Sequence, residues 1–246
     1  MVKTSLLKII TGIVLVIILS QCALRIIPVE GSGNRITTHR TVEPFTEIEA
    51  SGNLDMVLVS DSLFTISIEG HENLMPHIKT EVKNNRLIIS TTAPIRSQNP
   101  PRVMVTLPVI DRLELSRFGT VATSSQLSAE TFTAVVRESG PIALDLAAKT
   151  TRVFLTDTEI VRVKGTTHTV EATLYGRSRL DSRALTAKVG RANVYGPSKC
   201  AVFASKVLFA NVDGPGEITY FGQPEEVNRV VRGSGQITAG VMFPLN

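Results

Sequence analysis

The chain has 246 residues, no tryptophan, two cysteines and a formal charge of +4. This length allows one large domain or two small ones, two cysteines exclude a disulfide framework, and so small a positive excess carries no nucleic-acid signature. The apolar residues are mostly Val, Ile, Leu and Ala, with many Thr and Ser beside them, a mixture that favours strands over helices.

At the N-terminus Lys3 and Lys8 precede an uncharged stretch from Ile9 to Leu24. A basic start followed by an apolar run is the layout of a secretory signal. Its 16 residues fall short of the ~20 that a membrane-spanning helix needs. Leu19-Ser20-Gln21-Cys22 resembles the lipobox of bacterial lipoproteins, in which the Cys becomes the lipidated first residue of the mature protein. Gln21 departs from that pattern, where Gly, Ala or Ser is usual. Residues 1–21 are therefore read as a signal peptide and Cys22 as the point of lipid attachment. Residues 22–35, with Gly31-Ser32-Gly33, read as a flexible tether. The expected location is the cell envelope, on a membrane (the outer one) through the lipid anchor.

From Ile36 to about Leu115 the apolar residues alternate with a period of two, the signature of strands. Leu54, Met56 and Leu58 share one face, as do Phe64, Ile66 and Ile68. Glu72 to Met75 breaks the alternation before Pro76 and predicts one helical turn. Asn84-Asn85 lies between two strand-like runs and predicts a tight hairpin turn. A loop is expected over Pro94 to Pro101. Val103 to Leu107 and Leu113 to Leu115 predict further strands.

Beyond residue 116 a pattern of corners recurs about every 20 residues, at Gly119, Gly140, Gly176, Gly196, Gly216 and Gly235, with one corner missing near Thr158-Glu159. Gly214-Pro-Gly216 with Ile218, then Gly233-Ser-Gly235 with Ile237, are its clearest copies. A fixed short period with one or two aliphatic runs per unit predicts a β-solenoid, each unit one turn of the coil. The few aliphatic side chains of a single turn cannot offset the entropy of ordering it, so turns must stack. Ends need caps, and Val241 to Asn246 is expected to help cap one of them. The domain is divided into an N-terminal β part, 36–115, and solenoid repeats, 116–246.

The segment Val42-Glu-Pro-Phe-Thr-Glu-Ile-Glu-Ala-Ser-Gly-Asn-Leu-Asp-Met-Val-Leu58, then Glu69-Gly-His-Glu-Asn-Leu74, Lys79 to Lys83 and Asn85 to Ile89, resembles the start of the head GIN domain family. Gly214-Pro-Gly-Glu-Ile-Thr-Tyr-Phe-Gly-Gln-Pro224 and Gly233-Ser-Gly-Gln-Ile237 are similar to its closing motif. The family, labelled putative auto-transporter adhesin, is common in exported proteins of Bacteroidetes, and the resemblance spans roughly residues 40 to 240. It implies an all-β fold, a right-handed parallel β-solenoid stack, and no established activity. Corners such as Gly119 and Gly176 lack the family's Ser-Gly-x-Gly form.

No catalytic set, cofactor site or metal site is expected. Cys200 lies in an alternating run and reads as a buried apolar residue. His39, His71, His77 and His168 form no metal spacing, and His71, Glu72 and His77 read as a solvated turn. The two Gly-x-Gly corners precede strand-like sequence, whereas a phosphate loop opens a helix. Asp55, Asp145, Asp157, Asp181 and Asp213 sit near corners of different turns. Between Lys149 and Lys199 ten basic residues stand against four acidic ones. Arg162, Lys164, Arg177, Arg179, Arg183 and Arg191 are the candidate band for anionic ligands, with a solvated face as the plainer reading. The expected function is a non-catalytic, membrane-anchored envelope protein with a binding or structural role, its partners glycans or envelope proteins rather than nucleic acid. The alternative is a carbohydrate-active enzyme of the β-helix type, which needs paired carboxylates in a cleft.

Overall fold

The computed structural model describes residues 27–241. The signal-like segment and Cys22 lie outside them, as does most of the proposed C-terminal cap. Alternating apolar residues place strands β1 (Val29–Glu30), β2 (Arg35–Thr41), β3 (Glu47–Gly52), β4 (Asp55–Ser60) and β5 (Thr65–His71). A 3-10 turn, Glu72–His77, leads into β6 (Ile78–Lys83) and β7 (Arg86–Thr91). Next come β8 (Ile95–Arg96), β9 (Arg102–Leu107), β10 (Arg112–Phe118), β11 (Val121–Thr123) and β12 (Leu127–Arg137). The 15-residue strands β13 (Ile142–Thr156) and β14 (Val161–Tyr175) precede β15 (Arg179–Thr186) and β16 (Val189–Tyr195). The chain closes with β17 (Lys199–Phe203), β18 (Val207–Asp213), β19 (Glu217–Phe221), β20 (Glu226–Arg232) and β21 (Gln236–Ala239).

These strands form a parallel β-solenoid. One ladder runs β7, β3, β10, then the second halves of β12, β13 and β14, then β16, β18 and β20. The other runs β9, β4, β11, the first halves of β13 and β14, then β15, β17, β19 and β21. Each turn of chain gives one strand to each ladder, and about seven turns follow one another from β10 to β21. Equivalent residues lie about one repeat apart. Val136, Leu155, Leu174, Val194 and Val212 form one buried aliphatic column in the first ladder. Val161, Leu180, Cys200 and Ile218 form another in the second. The core is the space between the two ladders.

The N-terminal part does not simply precede the solenoid. The turn β3–β4 is inserted between the turn β7–β9 and the turn β10–β11, so both ladders pass through it without a break. Beyond β7 and β9 the pairing becomes antiparallel: β6 against β7, β5 against β9, and β2 against β5. This antiparallel layer covers the exposed ladder edges that a solenoid end would otherwise present. The Asn84-Asn85 turn has positive φ at both positions (52° and 62°), as a two-residue hairpin of type I′ requires.

Two expectations need correction. The tether does not run free to residue 35: Val29 and Glu30 pair in parallel with Ile95 and Arg96, inside the expected loop, and Gly31 N–H donates to the Arg96 carbonyl. The corners are also not all where the glycines suggested. At the corner between the two ladders the residue with positive φ is, turn by turn, Arg117 (49°), Glu138 (48°), Asp157 (48°), Gly176 (65°), Gly196 (77°), Gly214 (107°) and Gly233 (98°). The missing corner is Asp157, an Asp in the left-handed conformation that Asp tolerates better than most residues. Gly119 and Gly140 serve close approach instead: a Cβ on Gly140 would press on the Gly119 carbonyl oxygen.

Candidate functional site

Inside the solenoid the buried side chains are mostly apolar, with a few Ser and Thr hydroxyls, so charged chemistry is left to the outer faces. The second ladder carries an irregularity at its middle. Arg162 faces Asp181, but Lys164 faces Ala184, so the register shifts between them. Ser182 and Arg183 thus stand opposite Val163 alone, a β-bulge. Ser182 stays buried because its hydroxyl donates to the Ala201 carbonyl at 2.8 Å. Arg183 and Ala184 are consequently both exposed.

At this bulge the outer face opens into a groove of about 660 Å³. Ala143 of β13 and Ala184 of β15 present their side chains on its floor, the buried Leu144 and Val163 lie beneath it, and Phe221 and Val241 close the far end. Arg162, Lys164 and Arg183 border it together with Asp181. Arg183 is held in place twice. Its guanidinium meets the Asp181 carboxylate at 2.9 and 3.0 Å and lies over the Phe221 ring at 5.3 Å from the centroid, a cation–π arrangement. The Asp181 carboxylate raises the pKa of Arg183 further, so that charge is fixed. Lys164 pairs with Asp145 at 3.2 Å. Arg162 has no side-chain hydrogen bond or ion pair among the described residues. A smaller hollow of about 260 Å³ adjoins the groove, bordered by Arg179, Arg183, Lys199 and Glu217.

The six residues of the expected band do not form one row. Arg162, Lys164 and Arg183 come together at the groove, and Arg179 lies at the adjoining hollow. Arg177 sits on a corner, where its backbone N–H donates to Asp157 Oδ1 at 3.0 Å. Arg191 belongs to the other ladder, 3.8 Å from Glu171 and over the Phe209 ring at 4.6 Å. The groove also uses Ala143, Ala184, Phe221 and Val241, which charge reasoning did not find. The signal for the bulge was present as a stutter, with two outward residues between buried Ser182 and Leu185.

Four of the five corner aspartates, Asp213 aside, go to local tasks. Asp55 Oδ1 accepts from the backbone N–H and hydroxyl of Thr120, Asp145 accepts from Gln126, and Asp157 caps the corner N–H of Arg177. The histidines at the two ends of the 3-10 turn face different partners: His71, the last residue of β5, has its Nδ1 3.0 Å from the Gly33 carbonyl, and His77 Nδ1 lies 3.1 Å from the Thr92 hydroxyl. Cys200 is buried between Leu180 and Ile218, and burial, with a smaller push from the Asp181 carboxylate, drives its thiol pKa up to about 12. A thiol so shielded is an apolar filler rather than a nucleophile.

A family model described as "Putative auto-transporter adhesin, head GIN domain" matches residues 44–224. No curated protein matches the sequence. Among solved structures, a putative adhesin from Bacteroides fragilis is similar with a TM-score of 0.80 and 20% identity, over 86% of this chain and all of the other. A putative lipid binding protein from Parabacteroides distasonis gives a TM-score of 0.70 and 19% identity, over 87% of this chain and all of the other. A putative adhesin from Parabacteroides merdae gives 0.62 and 17%, over 87% of this chain and 99% of the other. At such identities these likenesses establish the fold.

Proposed function

The chain belongs to the head GIN domain family, and from that premise we propose that it is a non-catalytic binding protein of the bacterial envelope, held on a membrane by a lipid on Cys22. The observation that carries the binding role is the groove on the second ladder, where an apolar floor meets Arg162, a cation with no side-chain partner among the described residues. A rigid solenoid suits this role, because the ladder hydrogen bonds fix the spacing of outward side chains before any ligand arrives. The family's adhesin label and the lipid-binding description of the Parabacteroides distasonis relative both support binding over catalysis. The ligands that suit the face are anionic envelope components, whether carried by glycans, lipids or envelope proteins.

Two measurements on the full chain test this reading. Expressed in a lipoprotein-competent bacterium, the wild type should carry a diacylglyceryl group on a fragment beginning at Cys22, and Cys22→Ala should lack it and leave the membrane fraction. An unmodified wild-type chain would sink the anchor, with Gln21 as the reason. For binding, the full chain on beads should retain envelope fragments, and Arg162→Glu with Arg179→Glu should lower retention several-fold. Time-dependent release of new reducing ends from those fragments would instead mark a carbohydrate-active enzyme.

A further inference from the structure

We propose that the groove at the β15 bulge binds a single-chain anionic amphiphile, its acyl chain along the apolar floor and its carboxylate on Arg162. This inference rests on the binding role proposed above and names the ligand class for the same site.

Three observations converge on it. The first is size: about 660 Å³ lies within the roughly 300–1,000 Å³ usual for small-molecule sites. The second is shape. The groove reaches from Ala143 on β13 to Phe221 on β19, four rungs along the ladder, or ~19 Å at ~4.8 Å per rung. A strip of that length, floored by Ala143 and Ala184 and closed by Phe221 and Val241, suits one extended hydrocarbon chain.

The third is charge. Lys164 is neutralised by Asp145 and Arg183 by Asp181. Among the described residues the border of the groove therefore keeps one positive charge in excess, that of Arg162, whose cross-strand neighbour Asp181 is engaged by Arg183. One free guanidinium matches a monoanion, and its planar fork suits a carboxylate. A polyanionic glycan would find most of the basic residues already taken. A peptide strand is also a poor occupant, because the groove lies on a sheet face whose backbone groups are engaged in the ladder, and strand addition needs an edge.

The test uses the full chain in membranes washed free of ATP and coenzyme A, so that no acyl transfer takes place. A dodecanoic acid probe bearing a diazirine and an alkyne is photocrosslinked, and the labelled peptides are mapped. Labelling should concentrate on the peptides holding Ala143, Val163 and Ala184. Competition by fatty acids should strengthen with chain length, by up to about fourfold for each methylene that becomes buried. Dodecanol should compete at least tenfold less well than dodecanoate. Ala184→Trp, at an exposed position that tolerates bulk, should abolish groove labelling. Arg162→Gln should erase the preference for dodecanoate over dodecanol, and Arg162→Lys should restore part of it.

Labelling spread evenly along the chain, or unchanged in Ala184→Trp, would overturn the proposal. So would labelling seen only after deletion of residues 242–246, which would make that segment the occupant. Retention of envelope fragments, measured on the same preparations, separates the two readings. Wild-type retention without groove labelling rejects the amphiphile and leaves the envelope-binding role standing, whereas loss of both rejects both.

Discussion

A positive φ repeats up one corner of the solenoid, and the residues that adopt it differ in what it costs them. Gly176, Gly196, Gly214 and Gly233 take positive φ without a Cβ penalty, whereas a non-glycine residue there loses roughly 1–2 kcal/mol. Glu138, at φ 48°, gains little in return: its carboxylate is solvated and its nearest cation, Arg117, is 4.0 Å away. Glu138→Gly should therefore raise stability by about 0.5–1 kcal/mol, after allowing for the greater freedom of glycine in the unfolded chain. Urea unfolding would read the gain, and a loss would show that Glu138 makes a contribution beyond this corner. The same corners show what a sequence hides: a glycine announces itself, but Arg117 and Glu138 carry no compositional sign of a left-handed turn. Gly119 and Gly140, two residues further on, drew attention in their place. Cys200 was legible because alternation alone placed it inside. Its thiol pKa of about 12, against 9.0 for a free thiol, makes it a stability probe. The unfolded chain releases this proton above pH 9.0 while the folded chain keeps it, so its contribution is intact below pH 9.0 and is lost as pH rises toward about 12. Across that window the loss is on the order of a few kcal/mol. Cys200→Ala should show a shallower fall in stability between pH 9 and 11, and iodoacetamide should modify the native thiol only after denaturant is added. Rapid native-state modification at pH 8 would contradict the burial.

Stacked turns hold their corners together with hydroxyls as well as with apolar columns. Ser139 Oγ accepts from Phe118 N–H, Ser178 Oγ from Thr158 N–H at 3.2 Å, and Ser198 Oγ from Ser178 N–H at 3.1 Å. Each hydroxyl in turn donates to a corner carbonyl: Ser139 to Arg137, Ser178 to Tyr175, and Ser198 to Gly176, each at 2.8 Å. Thr158 continues the series by donating to the Val136 and Thr156 carbonyls. Ser139, Thr158, Ser178 and Ser198 are all buried, so each hydroxyl satisfies groups that water does not reach. Ser178→Ala strands the Thr158 N–H and should destabilise by roughly 1–3 kcal/mol, more than the same change at an exposed strand position. Chemical denaturation of the two variants would decide it, and equal effects would mean that water replaces the hydroxyl. At this scale the sequence was readable where local chemistry set the element, as in the Asn84-Asn85 hairpin and the helical turn at Glu72–Met75, although the 3-10 turn runs on through Pro76 to His77. It was not readable where pairing set it. The β15 bulge depends on which residue of β14 lies opposite, and the groove depends on that bulge.

Over the whole molecule the order of the chain and the order of the rungs differ, and this sets where unfolding begins. The turn β3–β4 lies near the start of the sequence but has ladder neighbours on both sides, with Leu54, Met56 and Leu58 fully buried. The turn β20–β21 pairs in the described residues with β18 and β19 alone, and Val230 and Val231 remain 47% and 46% exposed. Period-2 alternation identified β3 and β4 as strands, but no local signal says that a segment is threaded between two later ones. The partner strands lie tens of residues away, and only the completed stack selects them. Local stability follows burial and pairing rather than position in the chain. Native-state hydrogen exchange should therefore find the β20–β21 amides opening first, at free energies well below that of global unfolding. Amides of β3 and β4 should exchange only with the global transition, alongside β13 and β14. Early exchange in β3–β4 would mean that the inserted turn docks loosely, and the two ladders would then be better described as a C-terminal stack with a detachable N-terminal cap.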